Sequence, residues 1–208
     1  MSQIALPLVT ATSADAVLTG PSLEPVLALL AGAAEWPFRA AVLAGPPRSG
    51  KSLLARWFAA SGLGDVLDDA DSLPEDAVFH RWNRAQADGR PLLIVSNKAP
   101  GAWAVTLPDL ASRLGAALMI EIGAPDDELL RALVETHAAR RGLALGEAVL
   151  AYILPRLERS HAAAEALVET IDRLSLERKA AVTISLARDA LAERVHGVPE
   201  AERQPRLL

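Results

Sequence analysis

One glycine-rich segment limits what this chain can fold into more than any other feature: Gly45-Pro46-Pro47-Arg48-Ser49-Gly50-Lys51-Ser52. It matches the pattern G-x-x-x-x-G-K-[ST] in full, and such a loop needs a strand before it and a helix after it. The apolar run 40–44 precedes the segment, and the amphipathic run 52–61 comes after it. The sequence therefore predicts an α/β fold in which this loop leaves the carboxyl end of a buried strand.

The same segment indicates a ligand. Backbone N–H groups of a P-loop bind phosphate oxygens, its lysine adds a positive charge near the outer phosphates, and its serine hydroxyl can ligate Mg²⁺. These roles fall to Lys51 and Ser52. We expect residues 45–52, with Leu53 directly after them, to hold ATP or ADP together with Mg²⁺.

The rest of the chain divides into two patterns. Short segments at 65–69, 92–97 and 118–122 are predicted strands that alternate with helices, which is typical of a parallel sheet covered on both faces. In the predicted helix 76–88, Val78, Phe79, Trp82 and Ala85 share one apolar face. After Pro125 only helices are predicted, at 126–141, 146–158 with a break or kink at Pro155, 162–177 and 183–195. The predicted organisation is a tail (1–13), an α/β core (14–124) and a helical lid (125–208).

Two acidic residues lie at the end of the second predicted strand. Phosphate chemistry uses a carboxylate at a strand end to hold Mg²⁺ and often a second acid to orient water. Asp68, with Ser52, fits the metal-binding role, and Asp69 fits the second. The alternative is an acidic loop, because Asp65 and Asp71 lie close by; the P-loop favours the functional interpretation.

Two further polar residues have open interpretations. Asn97 ends the third strand, where it could sense a terminal phosphate, but Lys98 and Pro100 after it also suit a simple turn. Arg113 precedes the fourth strand and could act on a neighbouring subunit's nucleotide as an arginine finger. A solvated or ion-paired arginine is the alternative.

Composition excludes several classes of protein. The chain has no cysteine, its four histidines are scattered, and its net charge is −5, which argues against strong general affinity for nucleic acid. No apolar run reaches the length of a membrane helix, and the start of the chain lacks the features of a signal peptide, so we expect a cytoplasmic protein. The tail segment 3–8 has a polar residue followed by spaced aliphatic ones; it could dock into an apolar groove or pack locally.

Together, the P-loop, the Asp-Asp and Ser-Asn strand ends, the segment Leu107-Pro108-Asp109-Leu110-Ala111-Ser112-Arg113-Leu114 and the helical lid resemble the AAA+ core of the replication initiator DnaA. The segment 107–114 and the tail more closely resemble the Hda-type regulators, DnaA-related proteins that inactivate DnaA after initiation. The resemblance extends over about residues 3–195. It implies an adaptor that binds ADP or ATP and promotes hydrolysis of the ATP held by DnaA.

The resemblance assigns roles to individual residues. It implies that the tail hexapeptide binds the DNA polymerase sliding clamp and that Arg113 is the finger that acts on DnaA. It also implies that Val17 and Leu18 lie against the adenine. The hexapeptide residues assigned to the clamp are Gln3, Ile4, Leu6, Pro7 and Leu8.

The chain departs from the family pattern in three places. The interval between Ser52 and Asp68 is too short for the usual additional strand and helix, so we expect four strands with the P-loop strand inside. Ala162 stands where relatives carry a nucleotide-sensing arginine, and Arg156 or Arg159 could substitute; we therefore expect weak hydrolysis of its own ATP at most. The chain ends soon after the lid, without a helix-turn-helix domain, so no sequence-specific DNA binding is expected.

Two other functions stay open at this point, as does self-association. One is a P-loop ATPase or small-molecule kinase that acts alone, which steady turnover of ATP would indicate. The other is a DnaA-like initiator or loader that acts directly on DNA, which salt-sensitive DNA binding would indicate.

Overall fold

The computed structural model describes residues 21–197, which form two compact units. The first comprises residues 26–45 and 50–121. The second comprises residues 21–25, 46–49 and 122–197. The second unit is therefore assembled from three separate stretches of chain, two of which are short.

The first unit is built on a parallel four-stranded sheet in the order β2-β3-β1-β4. The strands are β1 (Ala40–Ala44), β2 (Asp65–Leu67), β3 (Leu92–Ser96) and β4 (Leu118–Glu121). Every residue of β1 and β3 is buried, which explains why their sequences are continuous apolar runs rather than alternating ones. The predictions of four strands and of an inner P-loop strand are both confirmed.

Four helices accompany this sheet: α1 (Glu24–Ala31), α2 (Lys51–Ala60), α3 (Glu75–Asp88) and α4 (Pro108–Ala116). Single 3₁₀ turns occur at Ala33–Glu35, Pro37–Arg39, Ala70–Ser72 and Pro100–Ala102. The pairings Ala40 with Leu92 and Val42 with Ile94 place these four side chains on one face of the sheet. That face and the buried residues of α3 and α4 form one hydrophobic cluster, to which the helices contribute Val78, Trp82, Ala85, Leu110 and Leu114.

The second unit is helical: α5 (Asp127–Arg140), α6 (Glu147–Ile153), α7 (His161–Arg178) and α8 (Ile184–Gly197). All four were predicted from the sequence. Side chains cap the starts of α5 and α7, because Asp126 Oδ1 accepts from the Leu129 amide at 2.8 Å and Ser160 Oγ accepts from the Ala163 amide at 3.0 Å. The predicted break at Pro155 is confirmed: α6 ends at Ile153 and a 3₁₀ turn covers Leu154–Arg156.

Some predicted details were wrong. The second strand ends at Leu67, not at residue 69, because Asp69 adopts a left-handed conformation (φ 49°, ψ 38°) that turns the chain out of the sheet. Phe79 packs against the same cluster as Val78, Trp82 and Ala85, as predicted, but it is only half-buried. The helix α4 was not predicted, since residues 108–116 were considered only as a motif. None of the helices within residues 21–197 is long and apolar enough to cross a membrane.

The fold requires glycine at position 64, because there is no room for a side chain there. A Cβ on Gly64 would clash with the Pro91 carbonyl oxygen and lie 2.9 Å from Cε1 of Phe58, whose ring is fully buried. We therefore expect Gly64→Ala to destabilise the protein by roughly 1–3 kcal/mol, the usual range for overpacking. Gly115→Ala is the matched control because a Cβ there meets nothing within 4 Å. Chemical denaturation checks both, and equal stabilities for the two variants would contradict the prediction.

Candidate functional site

Three strands of the first unit deliver the predicted site residues to one edge of the sheet. Ala44 of β1 pairs with Ser96 of β3, and Leu67 of β2 pairs with Ile94. Because the strands are parallel, the segments that come after them all leave from the same edge. These segments carry the P-loop after β1, the acidic residues after β2, and Asn97 after β3.

The P-loop is closed by its own lysine. Lys51, the first residue of α2, is buried, and its Nζ donates a hydrogen bond to the Gly45 carbonyl at 2.8 Å. Gly50 caps the helix with a φ of 85°, a conformation that favours glycine, and Arg48 also has a positive φ of 63°. The loop thus turns sharply into a helix N-terminus, where exposed N–H groups and the helix dipole favour an anion.

Three carboxylates interact electrostatically with the P-loop lysine. Burial lowers the pKa of Lys51 because desolvation disfavours the charged ammonium, while Asp68, Asp69 and Asp71 act in the opposite direction. The predicted acids, Asp68 and Asp69, are therefore brought together with the P-loop lysine. Asp71 joins them, although its sequence position predicts only a residue of an acidic loop.

Asn97 is held in place through its backbone. Its amide donates to Asp71 Oδ1 at 3.1 Å, which links the end of β3 to the segment after β2. The preceding Ser96 hydroxyl donates to the Lys98 carbonyl at 2.7 Å and accepts from the Lys98 amide at 3.0 Å. The turn that the sequence suggested is therefore present, and whether the Asn97 side chain also senses phosphate stays a prediction.

The donor set fits a nucleotide with its metal better than a metal held by protein alone. Within residues 21–197, no three His, Cys, Asp or Glu side chains converge on a point that could hold a metal ion. Mg²⁺ in nucleotide sites typically keeps only one or two protein ligands and takes the rest from phosphates and water. Ser52 at the start of α2 and Asp68 after β2 match that limited requirement.

Arg48, at the tip of the P-loop, contacts a residue of α7. Its Nη1 lies 3.1 Å from Glu165 Oε2, and both residues belong to the second unit. The Arg48 side chain is 60% exposed, so this ion pair contributes little to stability. The contact links the tip of the P-loop to the helix that also carries Ala162, where the resemblance leads us to expect a nucleotide-sensing residue.

Arg113 is fixed by α3. Its Nη1 donates to Asn83 Oδ1, and its guanidinium carbon lies 4.4 Å from the centroid of the Phe79 ring. A hydrogen bond at the edge of the guanidinium and an aromatic ring against its face together restrict a side chain that is otherwise highly flexible. Arg113 itself is half-buried.

Glu75, in the first turn of α3, anchors the start of α4, the helix that carries Arg113. Its carboxylate accepts from the Thr106 and Leu107 amides, each at 2.8 Å, and from the Thr106 hydroxyl at 3.0 Å. The two backbone hydrogen bonds are the main reason why the pKa of Glu75 lies below its ordinary value. This carboxylate holds the amides of the two residues that precede α4 and so fixes where that helix starts.

The two arginines proposed to replace the sensor both have partners in the second unit. Arg156 donates to the Tyr152 carbonyl at 2.7 Å and lies over the Tyr152 ring at 4.2 Å. Arg159 pairs with Asp127 at 2.6 Å. Ala163, the neighbour of Ala162, is buried in α7, while Ala162 is exposed.

Several predicted residues lie outside the part of the chain that the structure describes. They are the residues assigned to the clamp and the two assigned to the adenine: Gln3, Ile4, Leu6, Pro7, Leu8, Val17 and Leu18.

Sequence reasoning missed the residues that support Arg113. Asn83 and Phe79 are separated by one helical turn, so they lie on one side of α3, but nothing in the sequence indicates which residue they contact. The same holds for Glu75. Its position three residues before Val78 marks a helix start, yet its partners lie about thirty positions further along the chain.

Comparison with known proteins gives a match to a family model and matches to curated proteins. Residues 126–191 match the family model described as the Hda lid domain. An uncharacterized protein of Haemophilus influenzae is 33% identical over 132 residues, which are 60% of this chain and 57% of that protein. The match therefore spans little more than half of the relative's length.

Solved structures share the fold at low sequence identity. Domain III of the Thermotoga maritima replication initiation protein DnaA has a TM-score of 0.69 and 15% identity, covering 85% of this chain and 94% of that one. A replication initiator DnaA bound to AMPPCP and single-stranded DNA has a TM-score of 0.59 and 16% identity, covering 91% of this chain and 73% of that one. The predicted fold, an α/β core with a four-stranded parallel sheet and a helical lid, is confirmed.

The Glu75 contacts generate a prediction with a definite pH dependence. Because the folded-state pKa of Glu75 is depressed, its stabilisation is fully present above the unfolded pKa of about 4.3 and is lost as pH falls through the folded pKa. We expect Glu75→Gln to lower the thermal midpoint at pH 7, and the difference from wild type to narrow as pH falls below about 4.3. Thermal melts across this range, with Glu35→Gln as an exposed control, check it. A difference that stays constant or widens at acid pH would contradict it.

Proposed function

We propose that this chain, a DnaA-related AAA+ protein with an Hda-type lid, is an adaptor that promotes hydrolysis of the ATP held by DnaA. It binds ADP or ATP through its P-loop and the DNA polymerase sliding clamp through its N-terminal segment. By converting DnaA-bound ATP to ADP, it negatively regulates the initiation of chromosomal replication. The observation that carries this proposal is the way α3 fixes Arg113.

The restrained arginine suits action on a partner's nucleotide. A finger must reach the phosphates of another subunit in a defined orientation, and an unrestrained arginine would lose side-chain entropy when it docks. Asn83 and Phe79 have already restricted Arg113 in this chain.

The P-loop supports the proposal that this chain holds a nucleotide as a ligand and does not turn it over. The helix N-terminus after Gly50 and the buried Lys51 suit the phosphates of ADP or ATP, and Ser52 and Asp68 would hold Mg²⁺. Mg²⁺ neutralises charge on the phosphates when it is bound. In this adaptor, these residues bind and orient the nucleotide. The bound nucleotide stabilises the folded form of the protein.

Weak hydrolysis of the chain's own nucleotide is consistent with the second unit. The two arginines considered as replacements for the sensor, Arg156 and Arg159, are engaged with Tyr152 and Asp127. No arginine stands at Ala162 itself. We therefore propose that the chemistry takes place on DnaA and that this chain contributes the arginine.

Clamp binding is proposed from the sequence alone. The segment Gln3-Ile4-Ala5-Leu6-Pro7-Leu8 combines a polar anchor with spaced aliphatic residues, which suits an extended peptide in an apolar groove. Tethering to a clamp on DNA would raise the local concentration of Arg113 near DnaA on newly replicated DNA.

Direct action on DNA is the second candidate, because one structure with this fold is a DnaA bound to single-stranded DNA. Binding by isolated protein that falls steeply with rising salt would favour it. The net charge of −5 makes that outcome less expected than binding to a protein partner.

Nucleotide binding can be tested without any partner. We expect ADP at about 100 times its dissociation constant to stabilise the wild type by roughly 2.7 kcal/mol, and Lys51→Met to lose this stabilisation because the ammonium is gone. Methionine approximates the length of the buried side chain, so the fold should persist. Lys179→Met, which removes an exposed lysine at the end of α7, is the matched control. Equal protection by ADP in the wild type and in Lys51→Met would remove the P-loop assignment.

The arginine finger is tested by hydrolysis of ATP prebound to DnaA, with clamp loaded on DNA. We expect the wild type to accelerate hydrolysis only when clamp is present, and Arg113→Ala to reduce the acceleration by about 10³-fold or more, as for other arginine fingers. Binding of nucleotide and clamp should persist in this variant. Arg188→Ala removes an exposed arginine of α8 and serves as the control.

The same assay separates the alternatives. Acceleration retained in Arg113→Ala would exclude the finger, and acceleration independent of the clamp would exclude the role of the tail. Steady ATP turnover by the protein alone would indicate an enzyme in its own right.

A further inference from the structure

A strained turn lies directly before the P-loop strand. Phe38 and Arg39 are consecutive residues with positive φ, 51° and 50° respectively, and neither is glycine. A bulky residue in this region is a genuine outlier, and two in succession persist only when surrounding contacts hold them there. We call residues Pro37, Phe38 and Arg39 the Phe38 turn.

Two hydrogen bonds with residues distant in the chain hold the Phe38 turn in place. Gln86 Nε2 donates to the Phe38 carbonyl at 2.6 Å, and Arg39 Nη1 donates to the Gly89 carbonyl. The preceding Trp36 is buried, stacks on Phe58 with ring centroids 5.4 Å apart, and donates from its indole nitrogen to the Leu29 carbonyl at 2.8 Å. The turn is thus fixed on both sides.

The phenyl ring of Phe38, which the strained turn positions, lies outside the hydrophobic core. Phe38 is 62% exposed, although it is one of the largest apolar side chains of the protein. Beside it lies a cavity of about 540 Å³, lined in part by Trp36, Phe38, Arg39 and Gln86. The cavity presents aromatic groups and a guanidinium together, which suits a partner segment with an apolar side chain next to a carboxylate.

The Phe38 turn and Arg113 are joined by one stripe of α3. Phe79, Asn83 and Gln86 succeed each other at spacings of four and three residues, so they lie on the same side of the helix. The first two contact Arg113, and the third holds the Phe38 turn. Asn83 and Gln86 are separated by only about 4.5 Å along the helix axis.

We propose that the Phe38 turn is a second contact surface for the nucleotide-holding AAA+ subunit that receives Arg113. This inference rests on the proposed function, in which that subunit is DnaA. The surface inserts Phe38 into an apolar site on the partner and offers Arg39 to a carboxylate beside it. Arg113 acts on the nucleotide, while the Phe38 turn contributes affinity and fixes the orientation of the partner. The continuity of the two along α3 is what selects this partner over the clamp or a second copy of the chain.

The test is to remove the ring without straining the backbone. Phe38→Gly relieves the positive φ, and Phe38→Asn is a second variant because asparagine tolerates this conformation. Both should melt at or above the wild-type temperature. Binding to purified ATP-loaded DnaA is measured by biolayer interferometry, and hydrolysis of that ATP is measured with clamp loaded on DNA. Leu176→Ala is the control, because it removes an apolar side chain that is 71% exposed on α7.

We expect both Phe38 variants to weaken DnaA binding by about 10-fold or more, as for an exposed aromatic anchor. The concentration for half-maximal acceleration should rise by a similar factor, while the rate at saturation stays near that of the wild type. Wild-type affinity in both Phe38 variants, with acceleration by the wild type intact, overturns this inference and leaves the proposed function standing. If the wild type neither binds DnaA nor accelerates hydrolysis, the proposed function fails and the inference fails with it. Loss of self-association in the variants, with DnaA binding unchanged, assigns the surface to a second copy and likewise overturns it.

Discussion

The hydrogen bond from Lys51 to the Gly45 carbonyl closes the loop on which the candidate nucleotide site depends. It spans the two ends of the P-loop and buries an ammonium group, a costly arrangement unless other groups compensate. Three aspartates that follow the next strand offset part of this cost, although burial still lowers the pKa of Lys51; their position depends on the pairing of β2 with β3. A local bond in the loop is therefore supported by the register of the whole sheet. This explains why the acids come immediately after β2, where the chain can turn out of the sheet at Asp69.

Three different parts of the α3 surface make contacts with other segments of the protein. One contributes Val78, Trp82 and Ala85 to the core, and the adjacent stripe contributes the contacts to Arg113 and to the Phe38 turn. Its first turn supplies Glu75, which anchors the helix that carries Arg113. Because the core side fixes the rotation of α3, it also fixes where the other two sides point. The precision with which Arg113 is held is thus a consequence of ordinary packing, not of a separate device.

The sequence predicted the elements far better than the contacts between them. Continuous apolar runs identified β1 and β3 because both strands are buried on two faces, and the P-loop motif predicted the loop and helix that succeed β1. The predicted second strand was two residues too long, because the hydrophobic pattern of a sequence does not reveal that an aspartate adopts a left-handed conformation. The partners of Glu75 and Arg113 were not predictable, because they are about thirty residues distant and are set by the packing of α3 against α4. The positive φ of Phe38 was likewise not predictable from the sequence, since no glycine or asparagine marks the turn.

The residues that cluster with the helical second unit come from three places in the chain. Asp126 illustrates this: its carboxylate caps α5 and also accepts from the Ser22 amide at 2.7 Å, more than a hundred residues earlier. Residues 46–49 of the P-loop belong to the same unit. A chimera that exchanged only the segment after residue 121 with a relative would therefore replace the partners of Ser22 and Arg48 and leave those two residues behind. A chimera that keeps the Ser22 contact with the capping carboxylate of Asp126 must therefore inherit the short stretch 21–25 together with the lid.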